Sequence, residues 1–288
     1  MDAIRYETPR SVAEAVHLMT ADAGARILAG GTDLLIQFRA GTRQPSAFVD
    51  VKRIPELMSI TIDDQGLRLG AAAPAASIGE HAEIRRLWPG LAESVRLIGS
   101  TQIQGRGSVG GNLCNGSPAA DTTCALIVNR AQCVIAGPNG ERTVPVDAFC
   151  IAPGRTVLEA GELLVSLHLP APKPHSGARY LRFIPRNEMD IAVAGAGVEV
   201  VLENGTFRSA RIALASVAPT PLFVREAGEG LAGKPVNEAG IAAAADAARS
   251  AAKPITDMRG TAEYRRHLCA VLTRRALETA VQRAREAK

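Results

Sequence analysis

Gly105-Arg106-Gly107-Ser108-Val109-Gly110-Gly111-Asn112-Leu113-Cys114-Asn115-Gly116-Ser117-Pro118 interrupts a chain whose flanks carry ordinary helix and strand patterns. Its first six residues match G-x-G-x-x-G, the fingerprint of a Rossmann dinucleotide turn. That fingerprint requires a buried strand before it and a helix after it. Here Gly99-Ser100-Thr101-Gln102 precedes, and the residues from Gly111 to Pro118 follow without reading as helix-forming. The context rejects a Rossmann site. Residues from about 99 to 122 are instead expected to form a long functional loop, because loops of that length in compact domains usually carry function.

Upstream, Ser11-Val12-Ala13-Glu14 is a capping-box pattern opening an amphipathic helix through Val12, Ala15, Val16 and Met19. A short strand at Arg26-Ile27-Leu28-Ala29 follows, then Gly30-Gly31, then a helix through Leu34, Leu35 and Phe38 ending near Gly41. Ala47 to Val51 is a further strand. Leu67 to Ala73 is a strand placed before a second capping box, Ser77-Ile78-Gly79-Glu80, and Pro89 opens a helix through Leu91, Val95 and Ile98.

Downstream, strands are expected at Cys133 to Ile135 and Arg142 to Val146 around the turn signal Asn139-Gly140, and again at Leu163 to Leu169. Pro170, Pro172 and Pro174 make a stiff crossing to the last third. Strands near Ala178 to Phe183, Ala192 to Leu202 and Arg208 to Val217 come next, then helices over about 237–251 and 260–286. Strands followed by helices indicate an α+β class. The expected organisation is a small α/β unit over 1–55, a second unit over 56–172 and a C-terminal α+β domain with a three-stranded sheet over 176–288.

Composition narrows the functions. The chain has 288 residues, a formal charge of +4 and only 3% aromatic residues. A base-stacking nucleic-acid platform would have little to work with, so no nucleic-acid partner is expected. No apolar run approaches the roughly 18 residues of a membrane helix, and the start, Met1 to Tyr6, lacks a signal peptide's layout. A cytoplasmic protein without membrane contact is expected. The five cysteines, Cys114, Cys124, Cys133, Cys150 and Cys269, include no CxxC pair, and the five histidines show no metal-ligand spacing. No metal or iron–sulfur cluster is expected on this chain, and neither G-x-S-x-G nor a P-loop occurs.

The glycines at 107, 110 and 111 offer backbone N–H groups that can approach a diphosphate closely. Ala29-Gly30-Gly31-Thr32-Asp33, after a strand and before a helix, is a second such loop, where first-turn N–H groups favour an anion. Two loops of this kind point to one large phosphate-bearing ligand. Cys114, beside the second loop, reads as a small packing residue, with a thiol of lowered pKa as the alternative.

Ala29 to Leu34, Ser108-Val109-Gly110-Gly111-Asn112, Asn115 to Pro118 with Asp121, and Tyr180 to Arg186 with Asp190-Ile191-Ala192 together resemble the FAD-binding subunit or domain of the xanthine dehydrogenase and aerobic carbon monoxide dehydrogenase family. The likeness runs over essentially the whole chain. It implies a vanillyl-alcohol-oxidase-type fold, in which two subdomains clasp a noncovalent FAD ahead of a C-terminal α+β domain. It also implies contacts. Leu28, Ala29, Gly30, Gly31, Thr32, Asp33 and Leu34 line the diphosphate and adenosine side, and Ser108, Gly110, Gly111 and Asn112 form the second phosphate loop. Asp121 accepts from ribityl or ribose hydroxyls, Ile98 and Leu164 are apolar contacts, Arg182 brings a cation near the flavin, and Ile191 lies close to the ring.

The resemblance further implies partners: a small subunit with [2Fe-2S] clusters and a large subunit with the molybdenum cofactor, in a dimer of heterotrimers. Gly-Gly-Thr-Asp in the first loop and isoleucine after Asp190 look like the xanthine dehydrogenase side, where carbon monoxide dehydrogenases tend to carry Gly-Gly-His-Ser or Gly-Gly-Gln-Ser and tyrosine. That favours NAD+ as acceptor, with O2 or a quinone as alternatives. No catalytic acid or base is expected on this chain. The rival reading is a nucleotide-binding accessory module without redox activity.

Overall fold

A computed structural model of the protein describes residues 4–287. The leader reading therefore rests partly on Met1 to Ala3, which lie outside the described residues.

The chain begins with β1 (Arg5–Glu7), α1 (Val12–Ala21), β2 (Arg26–Leu28), α2 (Leu34–Arg39) and β3 (Ala47–Asp50). The three strands form a parallel sheet in the order β1-β3-β2. Ser11 caps α1 as expected: its Oγ accepts the Glu14 N–H at 3.2 Å, and Glu14 Oε2 accepts the Arg10 N–H at 2.8 Å.

A second unit follows, with α3 (Pro55–Met58), β4 (Ile60–Asp63), β5 (Gly66–Gly70), α4 (Ala75–Glu80), α5 (Ala82–Leu87), α6 (Pro89–Val95), α7 (Thr101–Gln104), α8 (Val109–Cys114) and α9 (Asp121–Val128). It continues through β6 (Gln132–Gly137), β7 (Gly140–Pro145), β8 (Cys150–Ala152), β9 (Arg155–Thr156) and β10 (Leu163–Pro170). Five strands make an antiparallel sheet, β4-β5-β10-β6-β7. Ala72, Ala136, Leu163 and Val165 of this unit share a core with Ala15, Val49 and Ile54, which fastens the first unit to the second. The helices bury Trp88, Leu91, Val95, Leu113 and Leu126 with Leu67, Leu69 and Leu167 of the sheet.

The last third holds β11 (Ser176–Phe183), β12 (Ala194–Glu203), β13 (Thr206–Ala215), β14 (Leu222–Phe223), α10 (Arg225–Glu229), α11 (Glu238–Ala251) and α12 (Ala262–Glu286). Its antiparallel sheet runs β11-β12-β13-β14. The three expected strands thus gain a fourth, too short to leave an alternation pattern. It is held by the pairs Ala213↔Phe223 and Leu214↔Leu222, and Arg211 and Arg225 lie over its Phe223 ring. The apolar stripe of α12, including Leu268, Leu272, Ala276 and Ala280, is buried in the core of this domain, so core packing is its role.

Two local readings are corrected. Ser77 is no N-cap: α4 starts two residues earlier, behind Pro74, whose fixed φ suits entry to a helix. The stretch from 99 to 122 is also not irregular throughout, since it contains α7 and α8. Ser108 caps α8, its Oγ accepting the Gly111 N–H at 3.0 Å, and tertiary packing supplies what the glycine-rich sequence lacks in propensity. The Rossmann reading remains excluded because a one-turn helix, not a strand, precedes the motif.

Carboxylates pin the C-terminal sheet to the second unit. Glu93 of α6 accepts from Arg179 Nη1, from the Tyr180 N–H at 3.0 Å and from Arg283 Nη2 at 2.6 Å. Arg130 makes two bonds to the buried Glu199, at 3.0 and 3.1 Å. Glu93→Ala leaves two guanidinium groups and one N–H without this acceptor. It is expected to cost about 2 kcal/mol in urea unfolding, the scale of hydrogen bonds to a charged group.

Candidate functional site: a cavity between two glycine loops

A cavity of about 500 Å³ opens where the first loop, the second loop and the end of the five-stranded sheet meet. Ala29 to Leu34 form one wall, and Ser108, Gly110, Gly111 and Asn112 form another. Ile98 and Leu164 contribute apolar surface. Ile191, 52% exposed, stands at the opening. Thirteen of the sixteen expected site residues lie on this lining.

The two loops are in backbone contact. A Cβ on Gly30 would sit 1.7 Å from the carbonyl oxygen of Arg106, and one on Gly110 would sit 2.4 Å from that of Ala71. Glycine is needed at each place for close approach of two backbones.

The loops are not equivalent as anion sites. In the second, the Gly110 N–H is spent on Ala71 O at 3.1 Å and the Gly111 N–H on Ser108 Oγ at 3.0 Å. In the first, the N–H groups of Gly30, Gly31, Thr32 and Asp33 have no acceptor among the described residues. These four N–H groups at the entry to α2 make the stronger cradle for a diphosphate. The second loop supplies a donor of another kind. Asn112 Oδ1 accepts from Thr122 N at 3.3 Å and Thr122 Oγ1 at 2.7 Å, which fixes the amide with its NH2 free at the wall.

Leu28 is buried and lies just behind the lining, its side chain close to Gly31. Asp121 and Arg182 are not part of the lining. They pair with each other, Arg182 Nη1 to Asp121 Oδ2 at 2.7 Å, with the Tyr180 hydroxyl donating to Oδ1 at 3.3 Å. Arg182 faces an adjoining polar cleft of about 350 Å³ with Arg96, Ser100, Gln104 and Glu188. That cleft and the cavity meet at Gly99. Burial pushes the Asp121 carboxyl up to about 6, outweighing the attraction of Arg182.

Sequence reading missed the floor: Val51, Leu57, Ala71 and Ala72, with Leu158, Glu162 and Leu163 arriving from the approach to β10. Apolar residues there carry the same pattern as any core position. Glu162 is neutralised by Arg142, at 2.7 Å to each oxygen, and is held below the ordinary carboxylate range chiefly by that bond. No group of three or more His, Cys, Asp or Glu able to hold a metal ion occurs among the described residues. No helix among them is long and apolar enough to cross a membrane.

Cys114 lies on the lining, but burial, with Cys150 adding to it, pushes its thiol up to about 12, which disposes of the lowered-pKa alternative. Burial likewise raises Cys150, to about 11, and the remaining three thiols. Ellman's reagent at pH 8 is therefore expected to modify almost none of the five thiols of the folded chain within minutes, and all five after denaturation.

This geometry fits FAD: free N–H groups for a diphosphate, an amide donor, and apolar walls for a flat ring. The family profile described as FAD binding domain in molybdopterin dehydrogenase matches residues 2–172, and that of the CO dehydrogenase flavoprotein C-terminal domain matches residues 179–280. The carbon monoxide dehydrogenase medium chain of Hydrogenophaga pseudoflava is 36% identical, covering 96% of each chain. The xanthine dehydrogenase FAD-binding subunit of Escherichia coli O157:H7 is 32% identical, covering 98% of each. Identity thus does not separate the two branches. Among solved structures, carbon monoxide dehydrogenase from Hydrogenophaga pseudoflava superposes with a TM-score of 0.93 at 36% identity, covering 97% of this chain and 98% of that one. Quinoline 2-oxidoreductase from Pseudomonas putida 86 gives 0.91 at 28% identity, covering 98% of each. With both halves matched, the chain belongs to the FAD-binding subunits of the molybdenum hydroxylases, the oxidoreductase family of xanthine and carbon monoxide dehydrogenases.

Proposed function

We propose that this chain is the electron-transfer flavoprotein subunit of a heteromeric molybdenum hydroxylase. Electrons reach it from [2Fe-2S] clusters of a small partner, which is itself supplied by the molybdenum cofactor of a large partner, and leave to NAD+, with O2 or a quinone as alternatives. The three subunits are expected as a dimer of heterotrimers.

The observation that carries this reading is the cavity wall. It joins four free N–H groups to an apolar surface and presents no histidine and no activated nucleophile. Such a wall suits a bound redox group whose own chemistry needs no acid or base from the chain. FAD, when bound, supplies the exchange between two-electron and one-electron chemistry.

The chain's own residues bind and shield. In this reading the N–H groups of Gly30 to Asp33 hold the diphosphate, and the Asn112 amide donates from the second loop. Ile98 and Leu164 exclude water beside the ring. Exposed Ile191, smaller than a tyrosine, leaves the opening for the approach of a nicotinamide in this reading. Arg182 faces the adjoining cleft, which meets the cavity at Gly99, and the buried Asp121 holds its guanidinium in place.

The test is anaerobic. The FAD-reconstituted chain should show a flavin absorption band that bleaches on addition of NADH. A colourless chain that takes up AMP and refuses FAD would contradict the proposal in favour of the accessory module. A flavin that dithionite bleaches and NADH leaves unchanged would contradict NAD+ as the acceptor.

A further inference from the structure

Behind the first loop, outside the cavity, a short polar chain runs from β3 back to β1. Lys52 Nζ donates to the carbonyl oxygen of Ala29 at 2.8 Å and to Asp50 Oδ1 at 2.5 Å. Asp50 Oδ1 also accepts the Lys52 N–H at 3.0 Å, and Oδ2 accepts the Tyr6 hydroxyl. The Lys52 and Asp50 side chains are 26% and 10% exposed. Burial alone would push the Asp50 carboxyl up, yet the bonds from Lys52 and Tyr6 hold it below the ordinary range, so it is ionised at neutral pH.

Peptide geometry gives this chain its consequence. In a trans peptide the C=O and the following N–H point in opposite directions within one plane. Ala29 O is held on the Lys52 side, so the Gly30 N–H is aimed the other way. Gly30 forms part of the cavity wall and Lys52 does not. The ammonium also polarises the Ala29-Gly30 peptide, which strengthens its N–H as a donor. Gly30 has no side chain with which to fix its own orientation, and its Cα is pressed against Arg106.

We propose that Lys52 is a positioning residue for the FAD diphosphate: paired with Asp50 and bonded to Ala29 O, it aims and polarises the Gly30 N–H from behind the loop. The proposal rests on FAD as the ligand of the cavity. A role specific to the diphosphate separates flavins that carry it from those that do not, whereas a merely structural role does not.

The experiment measures dissociation constants of the FAD-free chain for FAD and for riboflavin by quenching of flavin fluorescence. Lys52→Met is expected to weaken FAD about tenfold or more, the scale of one charge-assisted hydrogen bond, and to change riboflavin by less than about twofold. Lys52→Arg should keep most of the preference for FAD. Asp50→Asn/Lys52→Met, which leaves no buried unpaired carboxylate, should fold even where the single variant does not and show the same selective loss. Equal weakening of both flavins, or an unchanged FAD constant in the folded variants, would overturn the proposal. A wild-type chain that binds riboflavin as tightly as FAD would overturn the diphosphate assignment itself.

Discussion

Gly30→Ala is expected to lower FAD affinity about 100-fold or more, near 3 kcal/mol, measured by flavin fluorescence quenching. The added methyl would stand 1.7 Å from Arg106 O and 2.3 Å from Arg106 C, both backbone atoms that no rotamer change can move aside. The two loops have to separate, and the four free N–H groups move with the first. Gly105→Ala, in the G-x-G-x-x-G stretch that opens the second loop, is the control. Its Cβ would meet nothing closer than 3.9 Å, so affinity and stability should stay within about 0.5 kcal/mol of wild type. A Rossmann fingerprint would instead make Gly105→Ala damaging, because there the first glycine of G-x-G-x-x-G makes the tight turn.

The second large effect is expected at the seam between α9 and β11. Asp121→Ala leaves the Arg182 guanidinium, on a side chain only 7% exposed, without its counter-charge. Breaking one half of a buried pair costs about 3–5 kcal/mol, here expected in urea unfolding at pH 7.5. Asp121→Asn/Arg182→Met, which removes both charges, should recover much of that loss.

The same carboxyl gives stability a pH dependence whose sign follows from linkage. Asp121 titrates near 6 in the folded chain and at its ordinary 3.8 when unfolded. Between those values the folded state holds a proton that the unfolded state has released. The contribution to unfolding free energy therefore falls as pH rises through this window, by about 1.4 kcal/mol per unit and about 3 kcal/mol in all, and is flat above about 7. Wild type should lose stability relative to Asp121→Asn between pH 4.5 and 7. Parallel curves for the two proteins would contradict the assignment.

Much of this was legible in the sequence where the signal is local. The Ser11 cap, the apolar run of β10 and the Asn139-Gly140 turn each depend on neighbours in the chain, and each appears close to its expected place. The two glycine loops were legible as a pair because their joint spacing resembles one family. The helix α8 was not, because what holds Gly110 in a helix is the backbone of Ala71, some forty residues earlier. The inequality of the loops was hidden for the same reason: which N–H groups remain free depends on acceptors that only the fold brings near. The Asp121–Arg182 pair spans 61 residues, and Lys52 reaches back 23 to Ala29. Neither partner carries a mark in the sequence that names the other.

The most direct test of the account is a crystal structure of the chain with FAD bound. Diphosphate oxygens are predicted within about 2.7–3.2 Å of the N–H groups of Gly30 to Asp33, with the ring against Ile98 and Leu164 and its edge open beside Ile191. A diphosphate seated on the second loop alone, or in the basic cleft of Arg85, Arg86 and Lys173 at the other end of β10, would contradict it.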